Sequence, residues 1–88
     1  MQLNDDQYAL VQATIMALKP YGSTPDKCSD LSGLINDLQN SFLGQIDDVS
    51  SKLTALSNAC SAKNSNSFLN ALNDLFNALI NLFPSFGC

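Results

Sequence analysis

The sequence contains no histidine, tryptophan, arginine or glutamate, so its eight acids are aspartates and its four bases are lysines. Without histidine there is no Cys–His or Ser–His pair to activate a nucleophile, and the usual pH switch near neutrality is missing. A net charge of −4 and four scattered lysines argue against binding to nucleic acids, which requires a clustered basic face, and disfavour electrostatic attraction to anionic membranes. No apolar run reaches the roughly 18–20 residues that span a bilayer. We therefore predict a non-enzymatic protein with no cofactor, no nucleic-acid partner and no transmembrane segment.

Cysteine is scarce but informative. Three cysteines in a chain of 88 residues favour an oxidising compartment. For this reason we expect a secreted protein, and because the chain opens without a signal peptide, we expect it to be the mature form. The alternative is a cytoplasmic protein with three buried thiols. Zinc is not expected, because the sequence has no CxxC motif and no histidine ligand.

The stretch from Cys28 to Cys60 organises the chain, and Gly44 lies midway between the two cysteines. Large apolar residues recur on both sides of the glycine at steps of three and four, which indicates one face of a helix on each side. A chain that folds back at Gly44 brings the cysteines together. The alternative, one continuous helix of about 35 residues and roughly 50 Å, leaves them far outside the ~4.4–6.8 Å Cα separation of a disulfide. The symmetric spacing favours the hairpin and a Cys28–Cys60 bridge. The apolar residues are Leu31, Ile35, Leu38, Phe42, Ile46, Val49, Leu53 and Leu56.

Start and stop signals divide the chain into four helices. Asn4 and Gln7 form a capping-box pattern before the first helix, and Thr24 is a predicted cap with Pro25 in the first helical position of the second. Pro84 ends the fourth. Similar helix lengths and short connections predict an all-α fold, a small up-down-up-down four-helix bundle. The predicted helices cover residues 5–19, 25–41, 45–59 and 67–83 of a single domain.

The fourth helix is apolar over most of its circumference, with its asparagines and Asp74 confined to one arc. Such a helix is either the centre of the core or the wall of a ligand cavity or subunit interface. In the second interpretation, residues of this helix and of the facing helices line a pocket for a fatty acid or sterol. The predicted ligand-binding residues are Ile15, Leu38, Phe42, Leu53, Phe68, Leu72, Phe76, Leu79 and Phe83.

Cys88 is left over once Cys28 and Cys60 are paired. A lone terminal cysteine in a secreted protein indicates an intermolecular disulfide or an adduct with a small thiol, so we expect a homodimer or higher self-association. A Cys60–Cys88 pairing ranks second, because the tail would have to cross the bundle.

The last third of the chain resembles a secretoglobin, the uteroglobin type of small secreted helical protein. The resemblance lies in Cys60, Ala62-Lys63 in a polar linker, Leu79-Ile80 in a leucine-rich helix, Pro84 and terminal Cys88. It implies a disulfide-linked dimer around an apolar cavity. The placement of Cys28 and the helix before it depart from the family pattern, which makes this an analogy.

Three functions are consistent with these features. The first is an extracellular carrier of a small apolar molecule, indicated by the apolar fourth helix and five phenylalanines. The second is a structural or surface-active assembly protein of a silk, foam or glue, in which Cys88 and spare apolar surface join chains. The third is a small secreted effector or toxin.

Overall fold

The structure, a computed structural model, describes residues 3–83. Within this range the chain forms helices and connecting turns and has no β-strand. The all-α, disulfide-stapled bundle is therefore confirmed. Three short 3₁₀ segments, Lys19–Gly22, Pro25–Leu31 and Phe42–Gln45, connect the α-helices. The α-helices are α1 (Asp5–Leu18), α2 (Ser32–Gln39), α3 (Asp47–Ser61) and α4 (Ser65–Ile80).

Asparagine side chains begin two of the helices. Asn4 Oδ1 accepts from the Gln7 backbone N–H at 2.8 Å, and the Asn4 N–H donates to Gln7 Oε1 at 2.9 Å. The predicted capping box is thus confirmed. Asn64 Oδ1 accepts from the Ser67 N–H at 3.0 Å and starts α4. In both cases the side chain satisfies a backbone donor that has no partner within the helix.

The prediction of one regular α-helix over residues 25–41 is wrong. The first part of this stretch is a 3₁₀ segment, and only α2 is α-helical. The 3₁₀ part contains Asp26, Ser29 and Asp30, whose side chains weaken the preference for the α-helix, so the packing of the segment decides its geometry. Thr24 is also not the predicted cap: it makes no capping bond to the 3₁₀ segment, and its hydroxyl instead donates to the Pro20 carbonyl at 3.4 Å.

The chain reverses direction between α2 and α3. Ser41 Oγ donates to the Leu38 carbonyl at 2.6 Å and accepts from the Leu43 N–H at 3.1 Å, which ends α2 and starts the 3₁₀ turn Phe42–Gln45. Gly44 lies against the backbone of Gln39 so closely that a Cβ atom would collide with it. A close approach of two backbones, rather than an unusual φ angle, is the reason for glycine here.

Two links hold the hairpin together, one at each end. At the closed end, Gln39 Nε2 donates to the Ser50 carbonyl and to Thr54 Oγ1, both at 3.2 Å, and Ser50 Oγ donates to Gln39 Oε1 at 3.0 Å. At the open end, Cys28 and Cys60 form a disulfide with Cα atoms 5.7 Å apart. The hairpin is confirmed, and the continuous helix is excluded.

Helix α4 is the central element of the core. It packs most extensively against α3 and also contacts α1 and the 3₁₀ segment Pro25–Leu31. Tyr8 of α1 stacks on Phe83, with ring centroids 5.4 Å apart. Most of the apolar circumference of α4 is therefore used for packing, as the core-helix interpretation predicts. The buried residues of α4 are Phe68, Ala71, Leu72, Leu75, Ala78 and Leu79.

Candidate functional site

A cleft of about 400 Å³ lies over the Cys28–Cys60 disulfide, where α3 ends and α4 begins. We call it the disulfide cleft. The buried residues of its lining, which we call the floor, are apolar, and the exposed ones, which we call the rim, are polar or charged. Its lining residues are Pro25, Asp26, Cys28, Ser29, Ala59, Cys60, Lys63, Asn64, Ser65 and Phe68.

Three separate segments build the cleft, and the disulfide joins two of them. Cys28 belongs to the 3₁₀ segment and is buried, whereas Cys60, in the last turn of α3, is partly exposed. Phe68 comes from the start of α4 and is only 1% exposed, so it belongs to the buried apolar floor of the cleft. Because the bridge fixes the 3₁₀ segment against α3, the cleft depends on the disulfide for its shape.

Lys63 has an unusual backbone conformation. Its φ angle is +56°, the one positive φ found for a non-glycine residue in the described part of the chain. It follows the C-cap Ala62 of α3, and its N–H donates to the Cys60 carbonyl at 3.0 Å. Glycine is the usual residue at this position after a helix, because it has no Cβ to strain. This chain has a lysine there, and it lines the cleft.

The cleft continues as a groove along the seam between α2 and α3. A second hollow of about 300 Å³ shares Cys28, Ser29, Cys60 and Lys63 with the disulfide cleft. A third, also about 300 Å³, extends the groove to the far end of α2. Small polar side chains form most of the walls, among them Ser32, Ser57, Ser61, Asn36, Asn58 and Thr54. The surface beside the disulfide is therefore concave over much of the hairpin, and it becomes more polar toward the far end of α2.

The nine predicted ligand-binding residues lie in or against the core. Five are buried, and four pack against the core while partly exposed. Of these nine residues, Phe68 alone also lines one of the three hollows described above. The buried residues are Leu38, Leu53, Phe68, Leu72 and Leu79; the partly exposed ones are Ile15, Phe42, Phe76 and Phe83. Cys88 lies outside the described residues, and its pairing stays a prediction.

Sequence reasoning missed the residues that surround the disulfide. Pro25 and Ser29 flank Cys28 along the chain, and Lys63 follows Cys60 by three residues. Once the Cys28–Cys60 pairing is assigned, these neighbours necessarily meet at the open end of the hairpin. That proximity is the signal in the sequence that points to the cleft, whereas the apolar character of α4 points to the interior.

The described part of the chain has no group of three or more cysteine or acidic side chains arranged to hold a metal ion. Between residues 3 and 83, no helix has both the length and the apolar character needed to cross a membrane. Exposed large apolar side chains in the described part of the chain include Met16, Leu69 and Ile80.

Comparison with protein-family models, with curated proteins and with solved structures gives no match to this chain. The likeness to the secretoglobins stays a resemblance in residue pattern.

Proposed function

We propose that this protein is an extracellular carrier that binds a small amphipathic molecule of the fatty-acid type in the disulfide cleft. The cleft itself is the observation that supports this function. Its volume of about 400 Å³ falls within the ~300–1,000 Å³ range of small-molecule sites, which often lie between the helices of bundles. An apolar floor with a few polar groups on the rim suits a ligand that has both characters.

Burial of the interior favours this site over the bundle centre. Leu53 and Leu79 are fully buried, and Leu38 and Leu72 are nearly so. A ligand placed among them has to displace close-packed side chains, which costs free energy and forces rearrangement of the helices. The disulfide cleft is already open to solvent and needs no such change.

The disulfide supports an extracellular location. Structural disulfides persist in secreted proteins and are rare in the reducing cytosol. The Cys28–Cys60 bridge links two segments of the fold, and small secreted domains are commonly stabilised by disulfides of this kind.

Titration with a pyrene-labelled fatty acid tests the carrier function. We expect saturable binding at one site per chain. Ser29→Trp places an indole on the rim of the cleft, where Ser29 is exposed, and we expect it to weaken binding by about tenfold or more, a loss of roughly 1.4 kcal/mol. The control is Ser51→Trp, because Ser51 is also exposed but lies in none of the hollows described. Absence of binding, or equal loss in both variants, contradicts the proposal.

Self-association as a structural protein is a second candidate, favoured by one face of α4. Leu69 and Ile80 are 36% and 54% exposed, and with the partly exposed Phe76 between them they lie on one side of the helix. The spacing is that of a helix-packing surface. A pair of chains that met along this face would remove these side chains from water.

Sedimentation at increasing protein concentration, with and without reductant, tests this second candidate. We expect a dimer that dissociates in the Ile80→Lys variant, because burying a lysine ammonium group within the interface is costly. Met16→Lys is the control, since Met16 is 66% exposed and belongs to α1. A monomer at all concentrations, or a dimer that Ile80→Lys leaves intact, rules this face out. A dimer that disappears only with reductant points instead to Cys88.

A further inference from the structure

We propose that the disulfide cleft selects ligands with an anionic head group, and that Lys63 is the residue that determines this specificity. The inference rests on the proposed carrier function and names the ligand class of the same site: an amphipathic carboxylate, with its head at Lys63 and its apolar part on the floor of the cleft. Two observations support it, the backbone conformation of Lys63 and the position of its side chain.

The first observation is that stability alone favours a different residue at position 63. A φ of +56° is unfavourable for any residue with a Cβ, and glycine adopts it without strain. The position directly after the C-cap of a helix is where glycine is most enriched. A lysine held there at a cost to folding is explained if its side chain is needed where the backbone places it.

The second observation is that Lys63 is the cation of the groove. It lines both the disulfide cleft and the hollow on the other side of the bridge, and no other lysine lines any of the three hollows. Within residues 3–83, Lys52 forms an ion pair with Asp48 at 3.9 Å, whereas Lys63 forms no ion pair. Its ammonium group is thus available to an anion at the rim.

Asp26 is the charge of opposite sign beside the same cleft, and its position limits where an anion can bind. Asp26 lines the disulfide cleft but not the second hollow, whereas Lys63 lines both. A carboxylate head is therefore placed on the Lys63 side, above Cys60, and away from the 3₁₀ segment. The apolar part of the ligand then lies over the floor of the cleft, which includes Ala59.

A purely structural role for Lys63 makes a different prediction. A cation near the C-terminus of α3 interacts favourably with the helix dipole, so its charge could serve the fold alone. In that case, replacing Lys63 lowers stability and leaves ligand choice unchanged. The specificity role predicts the reverse for glycine: a more stable protein that no longer distinguishes the head groups.

The experiment compares dodecanoate with dodecanol, each measured by its displacement of pyrene-labelled dodecanol from the full-length protein. For the wild type we expect dodecanoate to bind about tenfold more tightly, as for one charge-assisted hydrogen bond, and the preference to shrink at high salt. Lys63→Gly is expected to remove the preference, keep dodecanol affinity within about twofold, and raise the thermal midpoint. Lys63→Arg should retain the preference for dodecanoate. Lys27 is exposed and lies outside the hollows, so Lys27→Gln should leave both affinities unchanged.

The outcomes separate this inference from the carrier function. If both probes bind the wild type equally, the anion specificity is wrong and the carrier function stands. If neither probe binds, the carrier function fails and the inference fails with it. A preference that survives in Lys63→Gly also overturns the inference, since the selecting group must then be another one. A lower thermal midpoint for Lys63→Gly overturns the argument from backbone strain and supports the structural role.

Discussion

Replacing both Cys28 and Cys60 with serine is expected to lower the free energy of unfolding by about 3–4 kcal/mol. The bridge closes a loop between residues 32 apart in sequence, and removing it restores the conformational entropy that the unfolded chain lacks when it is cross-linked. A domain this small buries a modest share of its surface and has a total stability of roughly 5–10 kcal/mol. The bridge therefore contributes a large part of the total free energy of unfolding.

Urea denaturation of the double variant and of the parent, both carrying Cys88→Ser to prevent disulfide exchange, measures this difference. Reductant should destabilise the parent by the same amount and leave the double variant unaffected. Hydrogen exchange should rise first in the segment Pro25–Leu31, in which Cys28 and Leu31 are the buried residues. A double variant as stable as its parent would show that the bridge contributes nothing to the fold.

The second large effect is expected at the corner of the hairpin. Gly44→Ala should cost about 2–3 kcal/mol, because its Cβ would lie 2.6 Å from the carbonyl carbon of Gln39. That neighbour is backbone and cannot rotate away. Moving it displaces the Gln39 side chain from its hydrogen bonds to Ser50 and Thr54, so the closed end of the hairpin loosens.

Gly33→Ala is the matched control for this substitution. Gly33 lies in α2, and a Cβ added there meets no atom within 4 Å. Alanine is a better helix former than glycine, so this variant should gain about 0.5–1 kcal/mol. Thermal unfolding of the two variants compares them directly. If Gly44→Ala is as stable as Gly33→Ala, the close approach of the backbones at the corner does not exist in solution.

Local signals in the sequence predict most of the fold. The equal spacing of Cys28 and Cys60 about Gly44 predicts the hairpin and its bridge, and Asn4 with Gln7 predicts the capping box; the structure has both. These features succeed because each is a constraint between a few residues. The sequence does not predict the 3₁₀ segment Pro25–Leu31, since the choice between 3₁₀ and α depends on how the segment packs against α4 and α3.

The candidate site was harder to predict than the fold. The sequence pattern of an apolar helix such as α4 does not distinguish a helix that fills a core from one that lines a cavity. In this fold Leu75 and Leu79 of α4 are fully buried, so the helix fills the core. The disulfide cleft depends on three segments that meet only after the hairpin closes. Lys63 is visible in the sequence, but its positive φ and its place beside the bridge are properties of the folded chain.

Chemical-shift mapping of the ¹⁵N-labelled protein during titration with dodecanoate tests the central claim most directly. Binding in the disulfide cleft predicts that the largest changes occur at the amides of Ser29, Cys60 and Lys63, while those of Leu53 and Leu79 in the core stay in place. Changes centred on Leu53 and Leu79, or no saturable change at any amide, would contradict it.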